Sequence, residues 1–214
     1  ALGSNNSATG PEVTAIGYMN TASDLRAIAV GVENVVDSVH SAGFGQGNEV
    51  HGEASTAIGY FNTTSVDAGG GSALGSNNVV EGEYGTALGW GNLAGGEASV
   101  ALGMSSEARA DDSIAIGNAA VATAVDSVAL GAGSVANLAG VVSIGDAGSE
   151  RRLVNLADAV DATDAVNLRQ LNAMGQSLDG LGSQVLDFFG GGAALGGGVY
   201  TTPTYVIQGD DYND

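Results

Sequence analysis

A short motif, Ala-apolar-Gly, returns along the first two-thirds of the chain with a fixed beat, and it limits the possible folds more than any other feature. Its glycines are Gly3, Gly17, Gly31, Gly45, Gly59, Gly75, Gly89, Gly103, Gly117, Gly131 and Gly145. Successive spacings are 14 residues, with one of 16 where two residues are inserted in the glycine-rich stretch 67–72. Repetition at this length means that one supersecondary unit stacks on copies of itself. The chain is therefore a solenoid and not a globule around one thick core.

The size pattern inside the period says which solenoid. Residues alternate around the motif, as in SVALG at 99–103 and SIAIG at 113–117, and alternation marks a strand with two unlike faces. One face carries Ala15, Ala29, Ala57, Ala73, Ala87, Ala101, Ala115 and Ala129, flanked by Ser or Gly. Side chains this small suit the inside of a flat coil in which two backbones pass close together. The opposite face carries Ile16, Val30, Phe44, Ile58, Leu74, Leu88, Leu102, Ile116, Leu130 and Ile144. Such a ladder facing water is a large apolar patch, and the same ladder on identical neighbours around a symmetry axis is its simplest cover. The expected subunit interface of the roll is Ile16, Val30, Ile58, Leu74, Leu88, Leu102, Ile116, Leu130 and Ile144. Gly43 and Ser143 stand where the motif has Ala, and the insertion is expected to bulge outward without breaking the roll.

Three residues after the motif glycine stand Asn6, Asn20, Asn34, Asn48, Asn62, Asn78 and Asn92, then Ser106, Ala120 and Ser134. Asparagine tolerates left-handed backbone and bonds its own chain locally, so this stack is predicted to mark a turn repeated in every coil. A second short strand follows, with Ala8, Ala22, Val36, Val50, Ala94, Ala108, Ala122 and Ala136 suited to the interior. Its alternate positions are variable and mostly polar, so Glu49, His51, Val79, Glu81, Glu107 and Arg109 form the candidate outer binding face. At about 4.8 Å per coil, ten coils make a rod on the order of 50 Å long.

From Gly145 the pattern changes. Residues 146–156 lose the beat and gain charge, including Arg151 and Arg152, which are expected to pair with carboxylates across chains. Residues 161–171 read as a capped helix start with Asp and Thr supplying the oxygens. Leu171, Leu178 and Val185 are spaced by seven, as are Met174, Leu181 and Phe188, which is the two-column seam of a short coiled coil. Gly175, Gly180 and Gly182 each weaken that helix by roughly 1 kcal/mol relative to Ala. The glycines of 190–198 break it, and Val199 to Ile207 reads as a strand interrupted by Pro203. The expected organisation is a β-roll at 1–145, a neck at 146–170, a coiled coil at 171–189, and a Gly-rich linker with the start of a further connector domain at 190–214.

Composition closes off several function classes. The net charge of −19, with only Arg26, Arg109, Arg151, Arg152 and Arg169 as bases, repels phosphates and argues against nucleic acid. No apolar run approaches the roughly 20 residues of a membrane span. Cysteine is absent, which removes disulfides, thiolate metal sites and thiol nucleophiles. His40 and His51 have no partner in a catalytic spacing, so no catalytic residues, metal ligands or cofactors are expected and the chain is read as a non-enzyme. Asp111–Asp112 and Asp210–Asp211 lack the repeat of calcium-binding rolls and read as solvated carboxylates. Tyr18, Tyr60, Phe61 and Trp90 all follow a motif glycine by one or two residues and read as packing along one turn edge. A hexapeptide acyltransferase needs an 18-residue coil and a cleft histidine, and an ice-binding solenoid needs a regular Thr ladder, so neither reading fits.

Together these strings resemble the trimeric autotransporter adhesins, with a YadA-like head and neck. The resemblance rests on the SVALG-type strands and asparagine turns of residues 1–145, on SIGDAGSERRLVNL at 143–156, and on TDAVNLRQL at 163–171. It implies an all-β solenoid, a trimeric left-handed parallel β-roll, followed by a neck and a short trimeric coiled coil whose interface includes Leu171 and Leu178. It implies a homotrimer on the bacterial cell surface, outside the outer membrane, attached through an anchor domain expected to lie outside this fragment. Host matrix proteins of the collagen, fibronectin and laminin class are the expected partners, with adhesion and autoaggregation as the function. A structural spacer without its own ligand is the alternative. In such a family Asn167, in the extended seam register, is a candidate for holding an anion on the trimer axis.

Overall fold

The computed structural model describes residues 1–189, together with the backbone of the short strands Ala194–Gly196, Val199–Thr201, Tyr205–Ile207 and Asp210–Tyr212. Two compact units are present, Ala1–Arg151 and Arg152–Asp214. The first carries its backbone past the boundary expected at residue 145.

Within the first unit each coil contributes one long and one short strand. The long strands, from Leu2–Ser4 through Thr14–Tyr18 and Thr86–Trp90 to Val142–Ser143, form an 11-stranded parallel sheet. The short ones, from Ser7–Ala8 to Val135–Ala136, form a 10-stranded parallel sheet. Register repeats from coil to coil: Ala15 pairs with Ala29, Ile16 with Val30 and Gly17 with Gly31. Across the insertion Ala57 still pairs with Ala73 and Thr64 with Val80, so both sheets run through it unbroken.

The interior between the sheets is as thin as the alanines require. Ala15, Ala29, Ala57, Ala73, Ala87, Ala101, Ala115 and Ala129 are fully buried from one side, and Ala22, Val36, Val50, Val80, Ala94, Ala108 and Ala122 from the other. The departure at Gly43 has a packing cause. A Cβ there would stand 2.9 Å from Cγ2 of Val36 on the preceding coil, so the long strand that follows this valine gives up a methyl. Val80 acts in the same way on Gly85, where a Cβ would meet Val80 Cγ1 at 2.8 Å. Interiors packed this tightly respond to single methyl groups.

The motif glycines are obligatory for a different reason. Gly17 has φ +121°, and a Cβ built on it would lie 2.0 Å from the carbonyl oxygen of Gly31 on the next coil. Any side chain there forces two coils apart.

The asparagine stack has a sharper role than the expected one. The left-handed residue of the turn is the one before it: Asn5, Met19, Glu33, Phe61, Asn77, Ser105 and Ala119 have φ between 49° and 57°, and Gly47, Gly91 and Gly133 fill the same place. The ladder asparagines do not appear among the positive-φ residues. Their side chains bind coil to coil instead. Asn34 Nδ2 donates to Asn20 Oδ1 at 2.9 Å, to Val30 O in its own coil at 3.2 Å and to Gly45 O in the next at 2.8 Å. Its Oδ1 accepts the backbone N–H of Asn48 at 3.1 Å. The ladder passes to Ser106, whose N–H donates to Asn92 Oδ1 at 2.9 Å and whose hydroxyl reaches Leu102 O at 3.1 Å. Buried amides are satisfied in this way at every step.

The inserted residues bulge outward at Val66, which is largely exposed, but Ala68 turns inward and is fully buried. Its carbonyl accepts the hydroxyl of Ser55 at 2.6 Å and the N–H of Gly71 at 2.8 Å. The extra length therefore plugs the end of its own coil.

In the second unit the helix runs from Leu168 to Phe189. Its cap is not the expected Asp161 and Thr163 but Asn167. Asn167 Oδ1 accepts the N–H of Gln170 at 3.1 Å, and Gln170 Oε1 faces the N–H of Asn167 at 3.4 Å, a reciprocal capping box. Asp164 instead closes a turn ahead of the helix, accepting the N–H groups of Val160 and Asp161, both at 3.0 Å. Further on, Ala194–Gly196 pairs antiparallel with Val199–Thr201, and Tyr205–Ile207 with Asp210–Tyr212. The expected single strand is thus two strands belonging to two hairpin pairs. Pro203 and the glycines at 190–192, 197 and 198 lie outside the described residues.

Candidate adhesive surface and subunit interface

The outer face of the long sheet is an apolar ladder without cover. Ile16, Phe44, Ile58, Leu88 and Leu130 are exposed, and Val30, Leu74, Leu102 and Ile116 are half-buried beside them, held there by the strand alternation that turns each alanine in. Ile144 departs from the rest of the expected interface. It follows the last strand without belonging to it, and its carbonyl accepts Arg151 Nη1 at 2.6 Å. The ladder is widened on its turn side by Tyr18, Tyr60, Trp90 and Met104, all exposed on the same strand face. Phe61 crosses Tyr60 edge to face at 4.3 Å, an arrangement aromatic pairs favour.

The opposite face, on the short sheet, is narrow and mixed in charge. Glu49, Val79 and Glu107 stand in one column with Thr63 and Leu93 between them. His51, Glu81 and Arg109 follow one residue beyond the strand ends. The structure does not gather these six into one pocket. His51 Nδ1 meets Asp37 Oδ1 of the preceding coil at 2.6 Å, with Glu49 Oε2 at 3.9 Å from Nε2. Arg109 Nε meets Glu107 Oε2 at 2.8 Å, four coils or roughly 20 Å away. Exposed pairs of this kind contribute little to stability, so their value lies in patterning the surface. Asp37 as the partner of His51 escaped the sequence reading, since only the coil register places the two together.

The neck residues act through hydrogen bonds. Within its own chain Arg151 meets hydroxyl and carbonyl oxygens: Nη1 donates to Ser134 Oγ at 2.8 Å and to Ile144 O, and Nη2 donates to Ala132 O. The guanidinium occupies the place of a further coil and satisfies carbonyls that such a coil would have bound. In the second unit Asp158 Oδ1 accepts Asn167 Nδ2 at 2.7 Å and pairs with Arg169 Nη2 at 2.6 Å. The Asn167 bond and the Arg169 guanidinium hold the Asp158 carboxyl below its ordinary range. Gln170 clamps Ala159 from both sides, its Nε2 donating to Ala159 O at 3.0 Å and its Oε1 accepting Ala159 N–H at 2.9 Å. Both hydrogens of the Asn167 amide are committed, to Asp158 and to Leu156 O at 3.2 Å. In this arrangement Asn167 acts as the cap of the helix. The pattern Asn-x-x-Gln was present in the sequence and could have identified it.

Along the helix, Leu171, Met174, Leu178, Leu181 and Val185 are all exposed. Among the described residues no group of three or more potential ligands is placed to hold a metal ion. Asp111 Oδ1 is used instead to accept the Glu97 N–H at 3.0 Å.

Comparison with known proteins bears on both units. The family described as the YadA head domain repeat matches residues 1–18, 8–34, 68–92, 94–120 and 122–146, more than half of the chain, and the coiled stalk of trimeric autotransporter adhesin matches residues 152–194. The chain belongs to the trimeric autotransporter adhesins. As a member of that family it is a homotrimeric, cell-surface adhesin of head-and-stalk construction. The chain is also similar to the crystal structure of the collagen-binding domain of the Yersinia adhesin YadA, at 26% identity over 81% of this chain and 86% of that one, with a TM-score of 0.49. A search of the curated proteins found no match. The head-repeat matches leave out residues 35–67, the coils that carry Gly43, His51 and the start of the insertion.

Proposed function

We propose that the trimeric head is the adhesive element, with the Ile/Leu/Val ladder buried between subunits and the short-sheet face turned outward to host matrix proteins. The observation that carries this reading is the opposition of the two faces. One is a continuous apolar column from Ile16 to Leu130, the other a mixed column in which Glu49, Thr63 and Glu107 interrupt Val79 and Leu93, with His51, Glu81 and Arg109 beside it. Burying a partly exposed Ile or Leu on association contributes about 1 kcal/mol, and the column offers nearly one such residue per coil in three subunits. The helix continues the same logic through Leu171 and Leu178.

The outward face has no deep pocket that spans its candidate residues. Contacts to collagen, fibronectin or laminin are therefore many and weak, and the trimer multiplies them by avidity. The same repetition supports autoaggregation between cells, with the head held outside the outer membrane by a membrane anchor. Solid-phase binding of the trimer to a panel of these matrix proteins tests the proposal. Saturable binding to at least one of them, weakened when Glu49, His51, Glu107 and Arg109 are replaced together by Ser, is the expected result. Silence across the whole panel sinks the adhesive role of this segment and leaves it a spacer.

A further inference from the structure

The single break in the 14-residue beat leaves a notch in the edge of the roll. On that edge coil after coil sets one residue in the left-handed region, preceded by an exposed acidic one: Glu53–Ala54, Glu83–Tyr84, Glu97–Ala98 and Asp111–Asp112. The inserted coil places Gly69 and Gly70 there instead. One coil's worth of side chains is missing, and the gap has a volume of about 320 Å³, lined by Glu53, Ala54, Gly69, Gly70, Glu83 and Tyr84. Glu53 and Glu83 stand on the coils to either side, two rises or roughly 10 Å apart along the rod. Tyr84 leans over the floor, since a Cβ on Gly70 would lie 2.7 Å from its Cδ1, and the residue remains 61% exposed.

The charge at this place is uncompensated. The ion pairs of the described residues are Arg26–Glu12, His51–Asp37, His51–Glu49, Arg109–Glu107 and Arg169–Asp158, and none reaches Glu53 or Glu83. The hydrogen bond to Glu83 and the negative charge of Glu83 and Glu97 hold the Tyr84 phenol above its ordinary value, an independent sign that the local field is negative.

We propose that this notch is a receptor for an arginine side chain of a basic protein partner, the guanidinium lying on the Tyr84 ring between the Glu53 and Glu83 carboxylates. Planar guanidinium stacks on an aromatic face while offering N–H groups to carboxylates on both sides, which an ammonium does less well. The side-chain-free floor supplies the room, and the chain's net charge of −19 draws a basic partner in. The site is separate from the short-sheet face and stands or falls without it.

Calorimetric titration of the whole trimeric protein with a hexa-arginine peptide tests the assignment. Gly69→Leu is the decisive variant. Gly69 is not in the left-handed region, and a Cβ there meets only Glu53 O and Glu83 Cγ, both at 3.8 Å. The substitution fills the notch and leaves every charge in place, with an unchanged melting temperature as the check on folding. Glu83→Gln removes one carboxylate from the notch, and Glu97→Gln removes one from the same rim outside it. Gly69→Leu and Glu83→Gln are expected to weaken binding about tenfold, and Glu97→Gln by no more than about twofold. The proposal is overturned if hexa-arginine fails to bind, if Gly69→Leu binds as tightly as the parent, or if Glu97→Gln weakens binding as much as Glu83→Gln. The last result would make the whole acidic rim, and not the notch, the source of affinity.

Discussion

Replacing Asn48 with Ala removes one rung of the amide ladder at the middle of the roll. Asn48 Nδ2 donates to Asn34 Oδ1 at 2.8 Å, Phe44 O at 3.2 Å and Gly59 O at 3.1 Å, and its Oδ1 accepts the N–H and Nδ2 of Asn62 at 3.1 and 2.9 Å. The residue is fully buried, so water does not replace these partners. The Asn62 N–H is the group most exposed to loss. The sequence itself shows what it falls back on: where Ser106 precedes Ala120, the Ala120 N–H reaches only its own Gly117 O at 3.4 Å. A poorly satisfied buried N–H costs about 1–3 kcal/mol, and the carbonyls of Phe44 and Gly59 each lose a bond worth about 1 kcal/mol. The expected destabilisation is about 3–5 kcal/mol per protomer. Asn48→Ser should cost about half as much, because a hydroxyl at the equivalent Ser106 still binds the carbonyl four residues back. Guanidinium unfolding of the trimer at one fixed protein concentration measures both, the concentration being held because association is linked to stability. An alanine variant as stable as the parent, or more stable than the serine variant, would refute the ladder as a structural element.

Three further outcomes follow from other parts of the molecule. Ile116→Asp with Leu130→Asp should dissociate or unfold the head, read by sedimentation, and a well-folded monomer would show that the ladder is not the subunit interface. Gly43→Ala should destabilise by about 1–2 kcal/mol through the 2.9 Å approach to Val36 Cγ2, with Val36→Ala restoring part of the loss; equal melting temperatures for the single variant and the parent would sink the packing account. Asp158 has a lowered pKa, so its contribution is complete above the ordinary carboxyl value and disappears as the pH falls through the lowered one. Helical circular dichroism of the stalk should therefore decline on acidification below about pH 4, and Asp158→Asn should flatten that decline.

The roll was legible from its sequence because every coil repeats the same decision. A small residue at Ala101 and a large one at Leu102 fix which face is in, and the 14-residue spacing fixes the neighbour. What the spacing hid were contacts that depend on three-dimensional stacking of unlike residues. His51 lies on Asp37, the Tyr84 ring on Gly70 and Val36 on the missing methyl of Gly43, and no period within the sequence names those pairs. The turn was misassigned by one residue because asparagine was taken for the left-handed position, whereas its amide is needed as a bridge and Met19, Glu33 or Phe61 accept the strained backbone. The helix cap was misplaced because Asp161 and Thr163 offer oxygens in the right composition, while only Asn167 has Gln170 three residues later to return the bond. The contacts of Arg151 with Ser134, Ile144 and Ala132 of its own chain were hidden as well, because the stacking of the last coil sets them and not the period.

The repeated register also bears on how such a head changes over generations. Since Gly17 pairs with Gly31 as Gly31 pairs with Gly45, removing or duplicating 14 consecutive codons within these coils rejoins the same contacts and preserves the reading frame. Unequal recombination between near-identical stretches thus yields heads that are shorter or taller by whole coils, each step about 4.8 Å, and all of them foldable. A lineage can adjust the reach of its surface fibre in this way while leaving the neck and its network untouched.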